Sequence, residues 1–208
     1  GSDLLTSKRN LASGDNPFTS ICGGTYFSLD NHDVASVVTV SKQVWRVRVD
    51  ATGFTKLGAY DVSAQVPGDD CLVSTLPDWS GNIFFVTQQG RVGVINKATG
   101  TVKTMQFPAG EGIYNSISGD ETGAIYIVTD HALYAVDADA SGQPEIRWSQ
   151  IYDRGTQQKS GQLSQGSGTT PTLIGDDLVA ITDNAEPQMH VQFYRRNGGG
   201  GDRLLCQV

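Results

Sequence analysis

The chain reads as an all-β protein made of four four-stranded units, the blades of a β-propeller. Three observations predict this. The segment Ser80-Gly81-Asn82-Ile83-Phe84-Phe85-Val86-Thr87 returns further on as Thr122-Gly123-Ala124-Ile125-Tyr126-Ile127-Val128-Thr129, and that spacing is the period of a propeller blade. The apolar runs are short, β-branched or aromatic, and broken by Gly, Asp and Asn, which is strand-and-turn chemistry. The 208 residues include 25 glycines and hold no Leu-rich helical stretch.

The elements follow in order. Residues 1–24, with Ser7-Lys8-Arg9-Asn10 and Ser13-Gly14-Asp15-Asn16-Pro17, are expected to be an extended lead-in lying over a blade or completing one. The first blade, about 25–62, has strands within Val34–Val40 and Val44–Val49 and a turn at Asp50-Ala51-Thr52-Gly53. The second, 70–108, divides into Cys71–Leu76, Asn82–Thr87, Arg91–Asn96 and Thr101–Phe107. The third, 113–153, repeats it: Gly142 stands to Gly100 as Thr122 stands to Ser80, and Ala132–Val136 is its third strand. The fourth, 169–208, is a looser copy carrying Leu178–Asp183, His190–Tyr194 and the final run Arg203–Val208. Residues 153–172 form the longest insertion. One four-stranded blade cannot bury both of its faces, and stacking blades around an axis covers them. The ring is either a closed four-bladed propeller or part of one with six to eight blades. The last strand runs on without a polar tail, which favours a ring completed by a further segment or by another chain.

Composition narrows the partners. Hydrophobic residues make up 38% and charged residues 18%, the balance of a folded chain. A net charge of −7 argues against nucleic acid and anionic lipid. No run of 18 apolar residues exists to span a membrane as a helix. Cys22, Cys71 and Cys206 lack metal-ligand spacing. The favoured expectation is three buried thiols acting as small apolar side chains, with one disulfide as the alternative if the protein is exported. Low Lys content and abundant Thr, Ser and Gly favour an exported location.

The phrase Ala132-Leu133-Tyr134-Ala135-Val136-Asp137-Ala138, followed by Gly142 and Ile146-Arg147-Trp148, resembles the repeat of PQQ-like (quinoprotein-like) propellers. The third copy has two extra residues before the Trp, and the second has Thr104 where the Trp would stand. Leu76-Pro77-Asp78-Trp79-Ser80-Gly81, the stretch Ser164–Leu173, and Ile181-Thr182-Asp183-Asn184 look like an uncharacterised group of longer bacterial propeller proteins. These resemblances imply the propeller fold. For the first family they also imply either a quinone-dependent dehydrogenase or a scaffold without cofactor.

Candidate sites follow from where blade loops gather. Asn115 and Thr170 open the first strands of the third and fourth copies, while Asp130 with His131, and Asp183 with Asn184, occupy the turn after the second strand. Asn115 and Asp130 could hold Ca²⁺, an ion that takes six to eight oxygens. The stretch around them resembles calcium-dependent lactonase and esterase propellers, which implies a hydrolase. Copy two has Val73 where Asn115 stands, which weakens the set, and Asn and Asp are ordinary turn residues. In the long insertion Arg154, Lys159, Ser167, Thr169 and Thr170 offer two cations, hydroxyls and glycine-flanked amides that could take an anion or carboxylate. The alternative is a linker whose glycines permit a tight turn into the next blade. No Gly-x-Ser-x-Gly elbow occurs. His32 lies in a solvated turn and His190 at a strand start, and neither has a His partner at ligand spacing. Trp45, Trp79 and Trp148 are expected to pack between blades.

The favoured function is a non-catalytic binding or scaffold module that uses one face of the ring for an unidentified protein, glycan or small molecule, with no cofactor predicted. The alternative is a calcium-dependent lactonase or esterase with the metal in the channel. A quinone-dependent dehydrogenase is the weaker alternative.

Overall fold

A computed structural model describes residues 21–198 and 200–208. Residues 1–20 of the expected lead-in lie outside the described residues. The described chain forms four antiparallel four-stranded sheets and contains no helix. The first sheet comprises β1 (Phe27–Leu29), β2 (Val34–Val38), β3 (Gln43–Asp50) and β4 (Gly53–Asp61). The second comprises β5 (Leu72–Pro77), β6 (Asn82–Thr87), β7 (Arg91–Asn96) and β8 (Val102–Gln106). The third comprises β9 (Ser118–Gly119), β10 (Ile125–Val128), β11 (Ala132–Ala138) and β12 (Pro144–Ile151). The fourth comprises β13 (Thr172–Ile174), β14 (Leu178–Thr182), β15 (Val191–Arg195) and β16 (Leu204–Gln207). Within each sheet the strands pair in chain order, the meander of a propeller blade.

Short polar side chains set the hairpin turns. In the first turn of three sheets an aspartate accepts backbone N–H groups two and four residues on. Asp30 takes His32 and Val34, Asp78 takes Ser80 and Asn82, and Asp120 takes Thr122 and Ala124, at 2.7–3.1 Å. The turn between third and fourth strands repeats the device. Asp50 takes the amide of Thr52, Asn96 those of Ala98 and Thr99, and Asp139 those of Ser141 and Gln143. An oxygen that caps the turn amides satisfies them without a longer loop. Six short acidic or amide residues therefore hold six hairpins at one end of the sheets.

The core lies between the sheets. Val38 and Val44 of the first sheet meet Leu72, Ile83, Phe85 and Ile95 of the second. Phe84, Val86, Val92 and Val94 turn the other way, onto Ile125, Ile127, Tyr134 and Val136 of the third. Tyr126, Val128, Leu133, Ala135 and Trp148 then meet Val179, Ile181 and Tyr194 of the fourth. The period-2 alternation of a strand thus sends odd and even residues to two different neighbours, and the middle strands are buried on both faces. Ser74 and Ser116, at matching places in the repeat, touch through their hydroxyls at 3.0 Å across the joint of the second and third blades. No described hydrophobic cluster joins the fourth sheet to the first.

Two expectations are corrected. Cys22 and Cys71 form a disulfide, and Cys206 is an exposed free thiol, so the picture of three buried thiols does not hold. The pairing works because Gly23 donates its N–H to the Leu72 carbonyl, which draws the segment alongside β5. Of the tryptophans, Trp148 packs between blades, but Trp79 is 69% exposed on its hairpin turn. Trp45 lies on the side of the first sheet away from the second, with the Lys56 ammonium 3.7 Å from its ring centre. A propeller turn leaves its tip in solvent.

Candidate functional site

The end of the sheets opposite those capped hairpins carries the β10–β11 and β14–β15 turns and the links between blades. Here the third and fourth blades bring together a continuous polar network. Its first part is Glu111, from the link between β8 and β9. The carboxylate accepts the Tyr134 hydroxyl at 2.8 and 3.0 Å and the Thr129 hydroxyl at 2.7 Å. Burial pushes the Tyr134 phenol well above its ordinary value, and the Glu111 carboxylate adds to the rise. Tyr134 is therefore a hydrogen-bond donor at every ordinary pH.

Asp130 comes next. Its Oδ1 accepts the Gly112 N–H at 2.8 Å and the His131 Nδ1 at 2.8 Å, while Oδ2 lies 3.4 Å from the Arg154 guanidinium. The other Arg154 nitrogen is 2.9 Å from His131 Nε2. A guanidinium has donors only, so Nε2 accepts and the ring proton sits on Nδ1, facing Asp130. Asp130, His131 and Arg154 therefore form a closed triangle, each about one-third exposed or less.

Tyr152 ties this turn to the long insertion. Its buried hydroxyl donates to the Thr129 carbonyl at 2.5 Å and accepts the Ser167 N–H at 2.9 Å. Burial raises its pKa. Gly166 is required between them: at φ +130°, a Cβ there would lie 2.7 Å from the Tyr152 hydroxyl and 2.9 Å from the Asp130 carbonyl oxygen. Asn115 is buried and donates from Nδ2 to the Ser167 carbonyl at 3.0 Å. Asn115 and Asp130 thus converge on one segment, Gly166-Ser167.

Asn184 is the second clamp and is fully buried. Its N–H donates to the Asp153 carbonyl, and its Nδ2 donates to those of Arg154 and Gln157 at 2.8 and 3.1 Å. Its Oδ1 accepts Gln162 Nε2 at 2.9 Å. Gly155, at φ +65°, is pressed so close that a Cβ would fall 2.4 Å from the Asn184 carbonyl oxygen. Asp183 beside it is 1% exposed. It accepts the His190 amide at 2.7 Å, the His190 ring at 2.8 Å and Gln192 Nε2 at 3.2 Å.

The residues named from sequence are placed as follows. Arg154 faces Asp130 and His131. Lys159 donates its ammonium to the carbonyls of Asn184 and Ala185 at 3.1 and 2.6 Å. Ser167 and Thr169 pair through their hydroxyls at 3.1 Å, and Thr169 accepts the Thr182 N–H at 3.0 Å. Thr170 stands half-buried just before β13. Arg154 and Lys159 therefore address different partners, and the Ser167 amide is taken by Tyr152. Among the described residues no three His, Cys, Asp or Glu side chains gather as a metal set. A cation at Asp130 would have to displace the Arg154 guanidinium. Glu111, Tyr152 and the clamp role of Asn184 were not foreseen. A glutamate in a link between blades and a tyrosine at a strand end carry no local signal, and Asn184 showed only as an ordinary turn residue.

The propeller fold is shared with solved structures of low sequence identity. BamB from Moraxella catarrhalis superposes with a TM-score of 0.60 at 10% identity, over 88% of this chain and 47% of that one. A protein from Lactobacillus plantarum gives 0.65 at 14% identity, over 93% and 57%. An uncharacterised protein of Archaeoglobus fulgidus is 34% identical over 145 residues, 66% of this chain and 28% of its own length. The chain thus spans about half of these solved propellers and just over a quarter of that relative. No protein-family model matches it.

Proposed function

We propose that the chain is a non-catalytic propeller module of PQQ-like repeat type. In this reading it binds a protein, glycan or small polar ligand on the face formed by the β10–β11 turn, the β14–β15 turn and residues 153–172. The observation that supports it most is the clamped state of the long insertion. Asn184, Lys159, Gln162 and Tyr152 fix this stretch, which has no regular structure, at points along its whole length. A loop fixed in advance loses little conformational entropy when a partner arrives, and long ordered loops on rigid scaffolds commonly carry function. Between Thr156 and Leu163 its exposed side chains, Thr156, Gln157, Gln158, Ser160 and Leu163, are uncharged, with the exposed carboxylates of Asp153 and Glu186 flanking them, and suit a polar partner. The disulfide supports an oxidising, exported location.

The test is thermal unfolding with Ca²⁺ and with chelator, run beside glycan- and peptide-array binding. The expected result is an unchanged midpoint with array binding that Leu163→Glu abolishes. A ligand at a hundred times its Kd stabilises the folded state by about 2.7 kcal/mol. A calcium-dependent rise of that size, lost in Asn115→Ala and Asp130→Asn, would replace this reading with the calcium-dependent hydrolase.

A further inference from the structure

We propose that the joint between the third and fourth blades holds a binding site for an oxyanion, a sulfate, phosphate or carboxylate that is either free or carried on a small molecule. The site lies at the capped-hairpin end of the sheets, opposite the 153–172 insertion, and so stands or falls separately from the binding reading.

One strand and one connection build it. β12 supplies Arg147, Trp148 and Ser149, and the connection from β15 to β16 supplies Arg196, Gly198 and Arg203. Together they line a cavity of about 460 Å³. Three arginines thus border one cavity in a chain whose net charge is −7. Among the described residues no carboxylate lines it. The acids that pair with Arg147 and Arg196, which are Asp137, Asp120 and Glu121, stand outside its wall. Both sides of the joint are described blades. Trp148 packs against the fourth sheet, and Arg196 reaches back to Asp120 of the third.

The three arginines are held differently. Arg203 is fixed: Nη1 donates to the carbonyls of Arg195 and Arg196 at 3.1 and 3.2 Å, and Nη2 to that of Gly198 at 2.9 Å. Its Cζ lies 4.8 Å from the ring centre of Trp148. A guanidinium has five N–H donors, so two of them are left over. Arg147 is about one-third exposed and gives only its Nε to Asp137, at 2.6 Å. Its two terminal nitrogens have no partner among the described residues. Arg196 is buried and spends Nη1 on Asp120 and Glu121 and Nη2 on the Gly175 carbonyl, while its Nε is buried without a partner. Ser149 adds an exposed hydroxyl.

This arrangement selects for negative charge. The spare N–H groups of Arg147 and Arg203 suit an acceptor with two or three oxygens, which a guanidinium fork grips in pairs. Arg196 adds positive potential from a buried position, where water screens it least. Arg203 is immobilised before any ligand arrives, so binding costs it little conformational entropy. The cavity falls in the size range of small-molecule pockets, which leaves room for the body of a ligand behind its anionic group.

The test is a titration followed by ¹⁵N–¹H NMR at the Trp148 indole, whose N–H donates to the Arg196 carbonyl at 3.2 Å and so reports on the site. Sodium sulfate, sodium phosphate, glucuronate and the neutral sugar glucose are added at an ionic strength held constant with sodium chloride. The expected result is a saturable shift with one or more of the three oxyanions and none with glucose or chloride. Tighter binding of glucuronate than of the inorganic ions identifies a carboxylate carried on a small molecule, and the reverse order identifies a free tetrahedral anion. Arg147→Gln should weaken binding by about tenfold or more and leave the circular dichroism spectrum unaltered. Ser149→Asp, at an exposed position, should abolish binding by placing a carboxylate in the wall, and it leaves the Arg147–Asp137 pair in place. No saturable shift with any of the three oxyanions, an equal response to chloride, or unchanged affinity in either folded variant would overturn the proposal.

Discussion

Asp120 and Arg196 show what a single buried pair does in this fold. The carboxylate and the guanidinium approach to 3.3 Å with side-chain exposures of 3% and 1%, joining the third blade to the fourth. Burial alone would raise the Asp120 pKa. Hydrogen bonds from the hydroxyls of Thr122 and Tyr126 and from the amides of Thr122 and Ala124 outweigh it and hold the carboxyl below its ordinary value. A group whose pKa is depressed on folding stabilises the fold above its unfolded pKa and loses that contribution as pH falls through the folded value. The loss should therefore begin near pH 4 and grow below it. Asp120→Asn should cost about 3–5 kcal/mol at pH 7, because Arg196 is left buried with only Glu121 and a carbonyl for partners. The gap between variant and wild type should narrow on acidification, as chemical denaturation at pH 7 and pH 3 would read. A constant gap across that range would refute the assignment.

At the scale of elements, the 153–172 insertion and the β14–β15 turn behave as one unit, because Asn184 bonds to the insertion at Asp153, Arg154, Gln157 and Gln162. Asn184→Ala removes the two bonds that its side-chain amide donates and the one that its Oδ1 accepts, and strips the carbonyls of Arg154 and Gln157 of that partner. Lost partners of that kind cost about 1–3 kcal/mol each when burial persists, so the loop should open locally. Limited proteolysis after Lys159 should quicken at least tenfold in the variant, with little change in the global unfolding midpoint. Equal cleavage in both proteins would mean the clamp contributes nothing. Much of the strand layout was legible beforehand, since β6 and β7 match the apolar runs Asn82–Thr87 and Arg91–Asn96. A strand's period of two and its turn residues are local properties. The candidate site was less legible. Asn115, Asp130, Arg154, Ser167 and Thr169 do fall in one neighbourhood, but Tyr152 and Asn184, which bond to Ser167 and Arg154, and Glu111, which bonds to Thr129 and Tyr134, come from three connections. Lys159 reads as an anion-binding cation in sequence and serves as a cap on two carbonyls in the fold.

At the scale of the whole molecule, the Cys22–Cys71 bond closes a loop of 49 residues around the first blade. Constraining the unfolded chain over such a loop is worth about 4 kcal/mol by loop-closure entropy, and measured values are commonly about 2–4 kcal/mol. Reduction, or Cys22→Ser with Cys71→Ser, should lower the denaturant midpoint by a corresponding amount, while Cys206→Ser should leave it in place. An unchanged midpoint in the double variant would show that the first blade is held by packing alone. Period, strand length and turn chemistry were written into the sequence by itself. Each depends on residues only a few places apart, and the internal repeat made four copies of them visible. Only the tertiary structure decided which cysteines meet, which cations are already satisfied and which strand faces are buried between blades. Those outcomes depend on how strongly each blade turns about the axis and on what arrives beside a side chain from a distant part of the chain, and neither is encoded in local pattern.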